Sequence, residues 1–174
     1  MKRQIIILNG VSQSGKDTMI HYMQQFIPNI KSLSYVALVK RVASELGWNG
    51  EKDEAGRRFL AGLVNLVDNY NDYIFKDLCK HIDYKSQQFM TYIVVVRDPR
   101  NIQKFVSKYG DECVTAFIER DGISIPNNPQ DQAVLNYKYD VYIKNNKDLK
   151  EFKKQINKFV RLYIKNKKRM RAIE

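Results

Sequence analysis

Cysteine is nearly missing from this chain: Cys79 and Cys113 are the two in 174 residues. They have no metal-ligand spacing and too few partners for a disulfide framework. That excludes a zinc ribbon or a cystine-stabilised scaffold and suits a reducing compartment. Histidine is equally scarce. His21 and His81 fall in helix-patterned stretches with no Cys, His or Asp cluster around them. No Ser-His-Asp arrangement is suggested anywhere. No apolar run approaches the roughly 20 residues that span a bilayer. The opening run Ile5–Leu8 leads straight into a strand pattern and is not a signal peptide, so the expected location is cytoplasmic. There is no internal repeat, low-complexity linker or break in composition, and 20.5 kDa reads as a single domain over residues 1–174.

Acidic residues are few beside basic ones, 19 against 30, leaving a net charge of +11. The imbalance suggests an anionic partner, a nucleotide or a nucleic acid. Much of the excess lies between Lys144 and Arg171, where the lysines read as the solvated face of one helix. No DNA-reading motif accompanies them, so nucleic acid is not expected as a partner.

Glycine is also sparse, with 8 in the chain, and two of these frame the most informative stretch, Gly10 to Thr18, G-V-S-Q-S-G-K-D-T. It follows the apolar run Ile5–Leu8 and precedes helical spacing at Met19, Ile20, Met23 and Phe26. A strand feeding a glycine loop that opens a helix is the context of a phosphate-binding loop. Gly10 and Gly15 permit a tight turn and close approach to phosphate oxygens. The loop N–H groups and the positive end of the helix dipole then face the anion. Lys16 would reach the β- and γ-phosphates. The expected ATP-binding set is Gly10, Gln13, Ser14, Gly15, Lys16, Asp17 and Thr18. The usual Ser/Thr after Lys is replaced by Asp17, whose carboxylate is a hard oxygen ligand suited to Mg²⁺, directly or through water. Thr18 is placed to meet the α-phosphate or to bond within the first helical turn. The blander account is an N-capped helix after a glycine turn, with an incidental lysine.

The rest alternates. A strand is expected over Ile30–Tyr35, then a helix over Ser34–Leu46 with Val36, Val39, Val42, Ala43 and Leu46 on its apolar side. Gly47-Trp48-Asn49-Gly50 stops it. A helix over Asp53–Val67 turns Phe59, Leu60, Leu63, Val64 and Val67 inward, and another runs from about Tyr70 to Ile82 with Tyr73, Ile74, Phe75, Leu78 and Cys79 as core. Tyr92–Val96 is apolar without alternation, the mark of a strand covered on both faces. Asp98 then caps, and Pro99 opens, a helix to Tyr109. Cys113–Ile118 and Tyr139–Ile143 are the last strands. Asp121–Asn136, with Pro126 and Pro129, is a loop or lid. A closing helix carries Leu149, Phe152, Ile156, Phe159, Val160 and Tyr163. Five strands alternating with helices predict a three-layer P-loop fold, a parallel five-stranded sheet with helices on both faces. The helices over about 36–83 exceed a minimal crossover and could wall off a second substrate.

Phosphoryl transfer asks for positioning and positive charge. Arg97 and Arg120 each follow a strand and emerge at the edge that carries Lys16. A surface ion pair is the plainer account of each. Arg58 and Arg100 are weaker candidates. Asp98 is open to metal work or to capping.

The loop S-G-K-D-T resembles that of the phage-type deoxynucleoside monophosphate kinases and their bacterial relatives; the G-K-D variation also occurs in animal-type phosphomevalonate kinases. Further segments are similar to the first group: Y-V-A-L-V-K-R-V-A at Tyr35–Ala43, R-R-F-L at Arg57–Leu60, V-R-D-P-R at Val96–Arg100, and Y-D-V-Y-I-K-N-N-K-D-L at Tyr139–Leu149. The resemblance implies ATP and Mg²⁺ as co-substrates and transfer of the γ-phosphoryl to a nucleoside monophosphate. It implies that Lys40, Arg57 and Arg97 hold the acceptor phosphate and that Arg120 is a lid cation, with the lid over about 121–137. The sequence departs from the family at Val95, where many relatives carry Asp, and in a lid without the His-Ser-Glu type of element. The catalytic set is then Lys16, Arg97 and Arg120, with Asp17 toward the metal. A kinase of another phosphorylated acceptor, and an ATP-binding regulatory or nucleic-acid-binding protein, are the alternatives. A homodimer is left open.

Overall fold

The computed structural model describes residues 3–51, 53–84, 91–123 and 133–165. Most of the expected lid lies outside the described residues, as do Lys167, Lys168 and Arg171. In chain order the elements are β1 (Gln4–Gly10), α1 (Lys16–Gln24), β2 (Ile30–Ser34), α2 (Ala37–Glu45), α3 (Glu54–Asn71) and α4 (Tyr73–Asp83). There follow β3 (Thr91–Val95), α5 (Pro99–Tyr109), β4 (Cys113–Glu119), β5 (Val141–Lys144) and α6 (Leu149–Phe159), which runs on into a π-type turn over Val160–Lys165. Two compact units result: Met1–Ser32 with Phe89–Glu174, and Leu33–Gln88.

The sheet has the order β2-β3-β1-β4-β5. β1 is central and pairs in parallel with β3 and β4, and β4 pairs in parallel with β5. Because side chains alternate across a strand, β1 serves two layers. Ile6 and Leu8 join Met19 and Met23 of α1 and Phe152, Ile156 and Phe159 of α6 on one face. On the other face α5 packs against β1 and β4, burying Ile102, Phe105 and Tyr109. Ile5, Ile6, Ile7 and Leu8 are wholly or almost wholly buried, each contributing about 1.5–3 kcal/mol of transfer free energy. That two-sided burial is why the run shows no polar alternation. The architecture is a three-layer α/β fold of the P-loop type, with the glycine loop at the carboxyl end of the central strand.

Several boundaries differ from the sequence expectation, each for a local reason. β2 stops at Ser34, and Tyr35 instead turns its hydroxyl to the Asp68 carboxylate, at 2.9 and 3.0 Å. β5 starts at Val141, two residues later than expected, because Asp140 is held in a reciprocal pair. Its carboxylate accepts from the Thr115 N–H and hydroxyl, and its own N–H donates to Thr115 Oγ1. Tyr70 and Asn71 belong to α3, and Asp72, left-handed at φ 55°, separates it from α4.

In the Leu33–Gln88 unit, α2 ends as the sequence implies. The Gly47 and Trp48 N–H groups return to Ser44 and Ala43 carbonyls, the double bond of a Schellman motif. Asp53 caps α3 by accepting the Gly56 N–H at 2.7 Å. The inward faces are narrower than expected. Val39 and Ala43 are buried on α2, but Val42 and Leu46 are 40% and 64% exposed; Leu60 is buried on α3, but Phe59 is 38% exposed. Tyr73, expected in the core of α4, is also open to solvent, as is Leu149 at the start of α6.

Candidate phosphate-binding site

Two asparagines brace the end of β1. Asn9 is 1% exposed; its Nδ2 donates to the Val96 carbonyl at 2.8 Å and its Oδ1 accepts the Gly10 N–H at 2.8 Å. The loop is thereby tied to the strand that precedes Arg97. On the other side Asn145 Nδ2 donates to the Ser14 carbonyl at 2.8 Å, while the Asn145 N–H donates to the carbonyl of Glu119.

Gly10 has φ +149°, and a Cβ there would lie 2.5 Å from Ser14 Oγ and 2.9 Å from the Ile118 carbonyl. Gly15 has φ +108°, and a Cβ there would lie 2.6 Å from Asn145 Nδ2 and 3.2 Å from the Phe152 ring. Both positions combine a strained backbone with no room, so only glycine fits. Gln13 is left-handed as well, at φ 64°.

Four loop carbonyls are occupied. Gly10 and Val11 accept from Lys16 Nζ at 2.6 and 2.7 Å, Gln13 accepts from Arg120 Nη1 at 3.0 Å, and Ser14 accepts from Asn145. Within the loop the Gly10 N–H donates to Asn9 Oδ1 and the Ser14 N–H to the Val11 carbonyl at 3.2 Å. The first N–H groups of α1 have no carbonyl one turn earlier, so the helix start offers the donors of an anion cradle. Ser14 Oγ is fully buried and has no hydrogen-bond partner. A chain of phosphate oxygens fits such a cradle on these grounds.

Asp17 and Thr18 are exposed in the first turn of α1. Asp17 is the carboxylate next to the loop, and an Mg²⁺ ion that keeps most of its shell in water and phosphate needs few protein ligands. Among the described residues there is no group of three or more His, Cys, Asp or Glu that would form an all-protein metal cage. Asp98 is the N-cap of α5. It accepts the Arg100 N–H at 2.8 Å and pairs with the Arg100 guanidinium at 2.7 Å. Burial pushes its carboxyl up, but the bonds from Arg100 and the charges of Arg100 and Lys104 outweigh this and hold it below the usual aspartate range.

Lys16 and Arg120 therefore meet on one loop. Arg97 is exposed one residue beyond Val96, at the same sheet edge. Lys40 and Arg57 lie on α2 and α3 of the Leu33–Gln88 unit. Beside the loop is a cavity of about 420 Å³ lined by Val11, Phe117, Ile118, Arg120, Lys144 and Asn146, among others. Its rim is closed by a reciprocal pair: Asn146 Nδ2 donates to Asp121 Oδ2 at 2.6 Å and the Asp121 N–H donates to Asn146 Oδ1 at 2.9 Å. Behind it Phe117 packs on Tyr139, whose hydroxyl is pushed up in pKa by burial and by its tyrosine neighbours.

Sequence reasoning did not single out Asn9, Asn145 or Asn146. The one signal for Asn9 was a polar side chain ending a strand buried on both sides. Asn145-Asn146 reads as a turn, and only β4–β5 pairing shows that the turn lands on the loop.

The fold and the loop define a P-loop protein of the three-layer α/β class. Solved structures share the fold at low identity. A dephospho-CoA kinase from Campylobacter jejuni superposes with a TM-score of 0.52 at 13% identity, covering 94% of this chain and 99% of that one. A thymidylate kinase from Candida albicans gives 0.52 at 11%, over 95% and 93%. A gluconokinase from Sinorhizobium meliloti gives 0.50 at 11%, over 92% and 93%. No protein-family model matches the sequence, and no curated protein matches it.

Proposed function

We propose that this chain is an ATP-dependent phosphotransferase that moves the γ-phosphoryl group to a nucleoside or deoxynucleoside monophosphate. The observation that carries the reading is the glycine loop at the start of α1, its Gly10 and Val11 carbonyls held by Lys16 and its Gln13 carbonyl by Arg120, with a buried, unpartnered Ser14 Oγ, beside a cavity of about 420 Å³. Its volume is within the ordinary range for a small-molecule site. The kinases that share the fold act on small molecules by their names, which supports the class.

In this reading the loop amides bind the donor phosphates. Lys16 leaves the Gly10 and Val11 carbonyls to meet the β- and γ-oxygens. Asp17 would hold Mg²⁺, which would supply charge neutralisation for the donor phosphates. Arg97 and Arg120 neutralise charge on the transferring group, which is the main demand of this chemistry. No general base is required, because the acceptor phosphate oxygen is already ionised. Residues 1–174 act as one kinase domain, with Lys40 and Arg57 of the helical segment 36–83 contributing to the acceptor phosphate. The proposed setting is the cytoplasm; among the described residues no helix is long and apolar enough to cross a membrane.

The test is ADP release from Mg-ATP against a panel of ribo- and deoxyribonucleoside monophosphates, with Lys16→Ala as the blank. Acceptor-dependent ADP from one or a few of them supports the proposal. ADP only with another phosphorylated acceptor, such as phosphomevalonate, overturns the substrate class. ATP binding with no turnover on any acceptor overturns the enzyme reading.

A further inference from the structure

The Asn9 side chain stands where the sheet divides. α1, which follows β1, packs on one face through Met19 and Met23, while α5, which follows β3, packs against β1 and β4 on the other. Adjacent parallel strands whose following helices leave to opposite faces form a topological switch point, and a crevice opens beyond their carboxyl ends. The paired residues of β1 and β3 run from Gln4 and Thr91 to Leu8 and Val95. Toward β4, β1 stays paired through Asn9 and Gly10. The ladder to β3 thus ends one residue before Asn9 and Val96, where the chain parts into the glycine loop on one side and Arg97 on the other.

Asn9 continues that link with its side chain. Its Nδ2 donates to the Val96 carbonyl and its Oδ1 accepts the Gly10 N–H, each at 2.8 Å. One amide orientation alone satisfies both, since the carbonyl needs a donor and the N–H an acceptor. The residue is 1% exposed, so both bonds are shielded from water. The Gly10 N–H belongs to the peptide that opens the loop, and the Val96 carbonyl to the peptide that leads into Arg97. One buried amide therefore fixes the planes of two peptides that lie 87 residues apart in sequence. Lys16 bonds the next carbonyl along from the first of them, that of Gly10, at 2.6 Å. A buried amide carries a desolvation cost that an apolar side chain would avoid. What it adds at this point is a fixed distance between the two edges of the crevice. Phosphoryl transfer is governed by such positioning, and a shift of about 1 Å imposed from outside the reacting groups can cost about a hundredfold in rate.

We infer that Asn9 is a positioning residue for phosphoryl transfer, holding the glycine loop and Arg97 at a set separation across the β1–β3 crevice. It acts through the Gly10 and Val96 peptides. This deepens the kinase reading, and its kinetic test rests on that reading. Asn9→Asp is nearly isosteric: it keeps an acceptor for the Gly10 N–H and removes the donor to Val96. With the best acceptor its kcat should fall about a hundredfold, while the dissociation constant for ADP stays within about threefold of wild type. Asn9→Ala removes both bonds and should lower kcat and weaken ADP binding together. Thermal melts show whether each variant is folded. A second readout needs no turnover. In proton–nitrogen correlation spectra the Arg97 amide, part of the peptide that Asn9 holds, should shift and exchange faster in Asn9→Asp, while the Gly10 amide stays protected. A kcat within about threefold of wild type in either folded variant, or an Arg97 amide unchanged in Asn9→Asp, would overturn the inference. Failure of both variants to fold would assign Asn9 to the fold and overturn it as well. A wild-type chain that transfers to no acceptor would sink the kinase reading instead, and the Arg97 amide would then decide whether Asn9 holds the two edges.

Discussion

The ammonium group of Lys16 donates to the carbonyl of Gly10 at 2.6 Å, across the loop that both residues belong to. A second bond, to Val11, fixes it over the same turn. The lysine thus shapes the loop before it meets any ligand, and it must give up both bonds to reach a phosphate. Lys16→Ala should lower kcat by at least about 10³-fold, beyond the loss of one oxyanion donor. Its circular dichroism spectrum should match the wild type. Steady-state kinetics with the best acceptor is the check, and near-normal turnover would sink the role.

Gly15 has no room for a methyl group. A Cβ would press on Asn145 Nδ2 and on the Phe152 ring, at a φ that L-residues avoid. Gly15→Ala should destabilise the chain by about 1–3 kcal/mol and weaken ATP binding more than its stability loss accounts for. Urea denaturation and nucleotide titration together separate the two effects.

Arg120 reaches the loop by a single bond to the Gln13 carbonyl, from an exposed position. Its loss should therefore cost little stability, within about 0.5 kcal/mol. Arg120→Ala should lower kcat by about 10²–10³-fold if the guanidinium serves the transferring phosphoryl, and Arg120→Lys should restore part of it. A change confined to KM would assign Arg120 to donor binding alone.

Asp98 offers a pH-dependent test. Its pKa is depressed in the folded chain by the bonds and charge of Arg100, so its contribution is present at neutral pH and is lost as pH falls through the folded value. Asp98→Ala should cost about 0.5–2 kcal/mol at pH 7, as for a lost N-cap. The gap between variant and wild type should narrow below about pH 4, near the ordinary aspartate pKa. Thermal melts between neutral pH and pH 3 provide the comparison. A gap that stays constant over that range would show that the ionised cap contributes nothing.

Much of this protein was legible in the chain itself. The run Ile5–Leu8, the loop Gly10–Thr18 and the helix opened by Asp98 and Pro99 are set by neighbours within a few residues: apolar period, glycine dihedrals, a side-chain cap. So is the stop at Gly47-Trp48. Tertiary structure alone decided the rest. Arg120 and Gln13 are 107 residues apart, and Asn145 and Ser14 are 131 apart; they meet because β4 lies beside β1 and β5 beside β4. No local pattern encodes that order. Phe59 and Leu66 mark the opposite failure. Their apolar character says that they seek cover, and helical period cannot say whether the chain's own core supplies it.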